Sequence, residues 1–343
     1  MYVLPAPWAL LASLSGRFDP WPLIDALGGP AGVAQAGARE LCAAGLSLDQ
    51  AAGLARVGAV TSPQPFVLAG GEGYPPALAR LPYAPPVLFY EGSLEAMLAP
   101  MVAIVGTRRC TAAGRRVAAE LARAVCLAGG VVVSGMAIGI DSAAQGEALR
   151  VGRTVAVLGQ GLACRGSGGA EQLRARIRER EGAVVSELLP ATPPRAWTFL
   201  SRNRIIAGLS RATVVVEAPH RSGALSTARH ALEAGREVLA VPWPYSHEVG
   251  AGCLDIAERG ATLVRGPDTV LSAAGLHGAT EAQATASGPA ILRMLAEGLE
   301  RGASLEHLAT RADLTLVEAL AMLAELEVSG LVRRLPGQRY ELV

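Results

Sequence analysis

The sequence predicts an α/β protein with a doubly wound, mainly parallel sheet, a small helical domain before it and a winged-helix domain after it. Three observations predict this. From Met101 onward, short β-branched apolar runs alternate with helical stretches at the spacing of βαβ units. Those runs are continuous rather than alternating, as strands covered on both faces require. The texture changes at both ends, to glycine-punctuated short helices before and to helices plus a hairpin after. At 343 residues the chain is longer than one typical core supports.

The first segment, residues 1–62, contains PWALLASLS, PLIDALGG, VAQAGARELCAAG and SLDQAAGLA. Each is an apolar helical stretch closed by a glycine turn, and together they predict a helix-hairpin-helix-like or SAM-like module. The leading residues lack a basic region and a cleavage site, so they are read as structure rather than as a signal peptide. The stretch from Ser62 to Gly92 is rich in proline and glycine. It has extended runs at Phe66–Leu68 and Val87–Tyr90, which read as edge strands leading into the next domain.

The second segment, residues 63–275, opens its periodic part with MVAIV as a strand, then GTRRC and a helix from Thr111 to Leu127. GGVVVSG is a strand and turn, GIDSAAQGEALR a helix, and TVAVLGQG a strand and turn. A helix from Gly168 to Arg180 leads to the strand AVVSEL. FLSRNRIIAGLS then sets Arg202, Asn203 and Arg204 before an apolar helical turn, Ile205 to Leu209, which feeds the strand ATVVVEA. PHRSG, the helix ALSTARHALEAG, the strand EVLAVPWP, the helix LDIAERG and the strand ATLV complete the run.

Residues 276–288 read as a small-residue linker, and residues 289–343 as the winged helix. PAILRMLAEGL, SLEHLATRA and TLVEALAMLAELEVSG are its helices, the last with Thr315 and Glu318 as a capping box. LVRRLPGQRYELV is its hairpin. The third helix, Leu316 to Ser329, carries Glu318, Glu325 and Glu327 and no arginine. An acidic helix is a poor match to a major groove, so a protein-contact or regulatory role is expected there, with Arg333, Arg334 and Arg339 of the hairpin available to phosphate.

Composition excludes several classes. The chain has no lysine, so all 31 basic residues are arginine. A Walker A phosphate loop, a Schiff-base enzyme and a pyridoxal-phosphate enzyme each require one. The five cysteines are scattered without a CxxC, which suits a reducing cytoplasm and neither a zinc module nor a disulfide scaffold. No stretch approaches the roughly 18–20 apolar residues of a membrane span, so no membrane association is expected. Net charge is +1, but its distribution is uneven. Residues 1–100 hold 4 arginines against 7 acids, residues 101–275 hold 21 against 14, and residues 276–343 hold 6 against 9. The basic excess lies in the middle, as an anionic partner requires.

Ligands of open α/β sheets bind at the carboxyl ends of strands. Those ends here present Gly106, Thr107, Arg108 and Arg109; then Ser134, Gly135 and Gly139; then Gly159 and Gly161; then Arg202, Asn203 and Arg204; and then His220, Ser222 and Gly223. Glycine-rich turns at helix N-termini bind phosphate oxygens through backbone amides, and arginine adds bidentate bonds. A guanidinium is costly to bury unpaired, so Arg202 and Arg204 are expected at a mouth, with one of them an internal partner for Glu217 or Glu187. No GxGxxG follows the first strand, so no dinucleotide cofactor is expected. Asp141 is read as a first-turn helix residue and Glu217 as a strand-end partner of an arginine ahead of any catalytic role. The five histidines spell out no metal site and no nucleophilic triad.

VAIVGTRRCTAAG, SGMAIGIDSAAQGEAL, TVAVLGQGL, GAVVSEL, FLSRNRIIAGLS, ATVVVEA and SGALSTARHALEAGREVLAVP, in this order, resemble the DNA-processing protein A family, also called Smf. The similarity runs from Met101 to Val270. It implies an extended Rossmann-like domain that binds single-stranded DNA, a homodimer, and loading of the RecA recombinase onto incoming single strands in natural transformation. Carried over, the family's pocket points to Gly106 and Arg108 in GTR, Arg202 and Asn203 in SRNR, and Ser222, Gly223 and Thr227 in SGALST. Phe199 takes the place of an aromatic ahead of RNR and either offers a stacking face or simply anchors the loop; a stacking face with an arginine-lined groove suits sequence-tolerant single-strand binding.

The chain departs from the family pattern at Gln145, where histidine is common. It departs again after GLACRGSGG, where a tyrosine-proline-x-x-asparagine pattern is missing, and at Gly252–Cys253–Leu254 in place of glycine-x-asparagine. These departures bear on base contacts more than on phosphate contacts. Two rivals remain open: a nucleotide phosphoribohydrolase-like enzyme using Glu217 or Asp141, and a nucleotide-sensing module whose winged helix transmits the signal.

Overall fold

The computed structural model describes residues 1–16, 18–54, 58–166, 168–276, 303–312, 316–328, 331–335, 337 and 339–342. It divides into two units, residues 1–276 and 277–343.

In the first unit, β1 (Tyr2–Leu4) pairs antiparallel with β2 (Val60–Ser62), so the N-terminal segment closes on itself. This ribbon was not expected from sequence, because three-residue strands carry no measurable period. Between its strands lie α1 (Ala6–Leu14), α2 (Trp21–Ala26), α3 (Pro30–Gln35), α4 (Ala38–Ala43) and α5 (Leu48–Leu54). Proline in the first turn of α1, α2 and α3 starts each helix where the missing N–H costs nothing. Their inward leucines, among them Leu11, Leu23 and Leu41, build one small core. The indole N–H of Trp21 donates to the carbonyl of Ala84 at 2.7 Å and ties this module to the sheet.

The main sheet begins with β3 (Phe66–Leu68), the short α6 (Pro76–Ala79) and β4 (Val87–Gly92). Then come β5 (Met101–Val105), α7 (Ala112–Leu127), β6 (Val131–Ser134), α8 (Ile140–Val151), β7 (Thr154–Val157), α9 (Gly168–Glu179) and β8 (Ala183–Ser186). The chain continues through α10 (Ala196–Leu209), β9 (Ala212–Val215), α11 (Gly223–Glu233), β10 (Glu237–Ala240), α12 (Ala251–Glu258), β11 (Thr262–Leu263) and α13 (Pro267–Ala273). The strand order is β11-β10-β9-β5-β6-β7-β8-β4-β3. Neighbours from β11 to β8 are parallel, whereas β4 and β3 run antiparallel at one edge. This is the Rossmann-like, doubly wound architecture the alternating pattern implies.

Strand residues split between the two faces. Ala103, Val105, Val133, Val157 and Val185 pack with Ile205 and Ile206 of α10 on one side. Ala156 and Val184 pack with Leu149 of α8 and Ile177 of α9 on the other. Each fully buried valine or isoleucine contributes roughly 1.5–3 kcal/mol. A buried ion pair fastens the antiparallel edge. The Arg174 guanidinium donates to Glu91 Oε2 at 2.9 Å and Oε1 at 2.7 Å, and also reaches the carbonyls of Leu162 and Cys164.

Burial pushes the Cys126 thiol up to about 11 and the Cys253 thiol up to about 12. A thiol reacts as its thiolate. In native protein at pH 8 these two resist a disulfide-exchange reagent such as DTNB, and guanidinium releases them. Rapid labelling of either in native protein contradicts this packing.

In the second unit, Ala303–Ser304 pairs with Arg339–Leu342, which pairs with Val332–Leu335 in a three-stranded antiparallel sheet. The helices Leu305–Ala312 and Leu316–Val328 pack through Leu308, Ala319 and Leu323 onto Val332 and Tyr340. The predicted first helix of the winged helix (289–299), the linker (276–288, beyond Leu276) and Thr315 of the capping box lie outside the described residues. On the hairpin, Arg333 pairs with Glu341 directly across the strands.

Candidate functional site

The sheet reverses its winding at β5. The chain proceeds from β5 through β6 and β7 to β8 on one side. It then returns by α10 to place β9 against the other side of β5. The carboxyl ends of β5 and β9 therefore flank a topological switch point, where open α/β sheets hold ligands. An open cleft of about 610 Å³ lies there.

Gly106, Thr107, Arg108 and Arg109 line the cleft from the loop after β5. Phe199, Arg202 and Asn203 line it from α10, and Ser222, Gly223 and Thr227 from the loop after β9 and the first turns of α11. Glycine is needed at the floor: a methyl group on Gly106 would stand 2.5 Å from Ile140 and 2.8 Å from the Glu217 carbonyl. Ser222 caps α11 by accepting from the Ala224 N–H at 3.3 Å. The Arg108 guanidinium lies over the Phe199 ring, 5.5 Å from its centroid, at the exposed rim.

Four predicted residues do not line the cleft. Ser134 is buried and donates its hydroxyl to the Ile104 carbonyl at 2.7 Å. Gly135 lies beneath the Arg202 guanidinium, where a methyl group would come within 2.1 Å of a guanidinium nitrogen. Gly139, at φ +102°, lets the next loop approach Thr107 and Arg108. Arg204 points away from the cleft to Glu187, a carboxylate 1% exposed, and forms a buried ion pair.

The expectation for Arg202 and Arg204 needs correction. Neither sits at a mouth before a helix, and both are internally paired rather than one of them. α10 starts at Ala196, so both lie inside it. Arg202 is 6% exposed. It donates to the Gly135 carbonyl at 2.9 Å, to the Val157 carbonyl, and from Nε to Asn203 Oδ1 at 3.0 Å. Burial lowers its pKa to about 10, and the nearby Asp141 carboxylate opposes that fall. Burial likewise pushes the Asp141 and Glu187 carboxyls up, and Arg202 and Arg204 respectively counteract it. Arg202 thus forms the cleft's back wall, and Arg108 and Arg109 are its exposed cations.

Glu217 proves to be an anchor. Its buried carboxylate accepts from the Thr111 N–H at 2.8 Å and the Thr111 hydroxyl at 2.6 Å, and meets His247 Nε2 at 3.0 Å. Among the described residues its partners are therefore a threonine and a histidine, and no arginine. It does not line the cleft, whereas Asp141 does and accepts from the Gly135 N–H at 3.1 Å. His220 and His230 pair with Asp255 and Glu233.

The departures at Gln145 and Cys253 lie in the interior. Gln145 Oε1 accepts from the Met136 N–H at 3.0 Å, and its amide donates to Thr154 and the Val155 carbonyl. Cys253 packs against the carbonyls of Val215 and Val216. Asp141, weighed from sequence as a helix-turn residue and as the acid of the rival enzyme reading, lines the cleft, and so does Leu200, which was not singled out. For Leu200 the available signal was its i to i+3 spacing from Asn203, which places both on one face of a helix.

Comparisons with known proteins agree with this fold. The family model described as DNA recombination-mediator protein A matches residues 65–275, and the DprA winged helix domain matches residues 279–338. The chain is 37% identical to Protein Smf of Escherichia coli over 284 residues, 79% of this chain and 76% of that one. It superposes on the crystal structure of DNA processing protein A from Streptococcus pneumoniae with a TM-score of 0.66 at 30% identity, covering 78% of this chain and 97% of the other. DNA processing protein A from Helicobacter pylori, described for its single-stranded DNA binding mode, gives a TM-score of 0.55 at 27% identity, covering 62% and 97%.

Proposed function

Because the chain belongs to the DNA recombination-mediator protein A family, we propose that it binds single-stranded DNA in the switch-point cleft and, without catalytic turnover, loads the RecA recombinase onto it. On this reading it is a cytoplasmic homodimer that protects incoming strands in natural transformation and recombination.

One observation carries the proposal. The cleft offers an exposed arginine stacked on a half-buried phenylalanine, a second exposed arginine beside it, and a helix N-terminus opposite. That is a face for a base with cations for its phosphates, and it reads no particular base. A mononucleotide enzyme needs an acid free to act in the cleft. Glu217 is turned away and fully bonded, and Asp141 is committed to the Gly135 amide and lies beside Arg202. These contacts favour the binding reading over the phosphoribohydrolase one. The H. pylori DNA processing protein A, described for its single-stranded DNA binding mode, supports it. Among the described residues no helix is long and apolar enough to cross a membrane.

The test is fluorescence anisotropy with labelled oligothymidylate and its duplex counterpart across a salt series, followed by RecA filament assembly on strands coated with a single-strand-binding protein. Tighter binding to the single strand, with affinity falling as salt rises, and faster RecA assembly are expected. Equal weak binding to both forms, together with hydrolysis of a nucleoside monophosphate, overturns the proposal.

A further inference from the structure

Two large apolar side chains stand in solvent, one lining the cleft and one next in sequence to a lining residue. Ile138 is 77% exposed and Leu200 is 53% exposed. Leu200 follows Phe199 on α10 and lines the cleft itself. Ile138 tips the loop between β6 and α8, next to the cleft-lining Ala137.

That loop is held in an unfavourable shape. Met136 adopts φ +55°, a left-handed conformation rare for a side chain of its size. Gln145 stabilises the turn by accepting from the Met136 N–H at 3.0 Å, and Asp141 does the same for Gly135 at 3.1 Å. The Ile140 N–H donates to the Thr107 carbonyl at 3.3 Å, so the loop is locked against the one that carries Arg108. Backbone strain persists where surrounding bonds impose it, and it clusters at ligand sites. Ile138, two residues beyond Met136 in this loop, stands exposed.

Resting on the DNA-binding reading, we propose that Ile138 and Leu200 form an apolar wedge. It enters between successive bases of the bound strand and isolates the one that stacks on Phe199. The occupant is a nucleobase of a flexible single strand. Apolar side chains unstack base steps in this way elsewhere, and a single strand yields more readily than a duplex. A cleft walled by arginine attracts the sugar-phosphate chain, and the wedge sets which base enters. It gives the site a fixed register without hydrogen bonds to any base.

The experiment uses the full chain and oligoadenylates carrying one 2-aminopurine, moved along the strand one position at a time. Stacking quenches this base, so a wedge raises its fluorescence at one register. Wild type is expected to show that rise. Ile138→Ser and Leu200→Ser are expected to lose it, with affinity reduced about fivefold and the salt slope unchanged because no phosphate contact is removed. Ile138→Leu restores it. Thermal midpoints equal to wild type certify that the exposed substitutions leave the fold intact. A rise that survives both serine variants overturns the wedge while leaving the DNA-binding reading in place. Absence of binding by wild type, recorded by anisotropy in the same samples, overturns both.

Discussion

Arg202→Ala is expected to unfold at a distinctly lower denaturant concentration than the parent chain, by roughly 3–5 kcal/mol. The guanidinium is buried, bonded to the carbonyls of Gly135 and Val157 and to Asn203, and it opposes the desolvation of Asp141. Removing it strands those acceptors and leaves a buried carboxylate without its countercharge. The pH profile carries the sign. The folded-state pKa of Asp141 is already raised, and losing Arg202 raises it further. A raised carboxyl costs nothing below its unfolded value, near 3.9, and an increasing amount as pH climbs through the window up to the folded value. The deficit of the variant is therefore largest at neutral pH and shrinks on acidification. Pairing the change with Asp141→Asn recovers part of the loss. Urea unfolding of the three proteins between pH 4 and 8 measures this. A variant as stable as the parent that has lost DNA affinity would make Arg202 a direct phosphate contact instead.

Arg108→Ala combined with Phe199→Ala is expected to reduce affinity for oligothymidylate by about 10- to 100-fold, as loss of one base stack and one phosphate contact implies. Arg108 is exposed, so its removal alone changes stability by no more than about 0.5 kcal/mol. The single Arg108→Ala variant should also lower the slope of log affinity against log salt by about 0.7, the value for one phosphate on a single strand. Phe199→Ala should weaken binding at all salt concentrations alike, since a stacking face carries no counterion. Anisotropy titrations from low to physiological salt separate the two contributions. If both single variants bind like wild type, the strand runs elsewhere on the surface and the switch-point cleft is not its seat.

The arrangement explains why one helix serves both fold and site. α10 turns Ile205 and Ile206 into the core, Arg204 to Glu187, and Phe199 with Arg202 to the cleft. These directions follow from helical spacing, and a strand in the same place would offer only two faces. The helix also meets the N-terminal module, where Gly16 at φ +76° admits Ser201 and Trp197.

Much of this was legible in the linear chain because it is local. Val131 to Ser134 or Ala212 to Val215 can only be covered strands, and α7 starts where Thr111 caps it by accepting from the Gly114 N–H. Glycines and arginines after successive strands announced the functional edge, since every parallel strand ends on the same side of the sheet. The lack of lysine removed whole classes of chemistry without any structure. Other features depend on residues far apart in the chain. Arg202 reads as an exposed cation until Gly135 and Val157, 67 and 45 positions away, are brought to it as acceptors. Arg204 and Glu217 had candidate partners in sequence, but only packing selects Glu187 for one and Thr111 with His247 for the other. Apart from the β1–β2 ribbon and the start of α10, the sequence by itself determined the elements, their order and the edge where chemistry gathers, because periodicity and turn residues act over a few positions. The tertiary structure alone decided which arginines face solvent and that β5 and β9 lie side by side, because burial and pairing are set by contacts between distant segments.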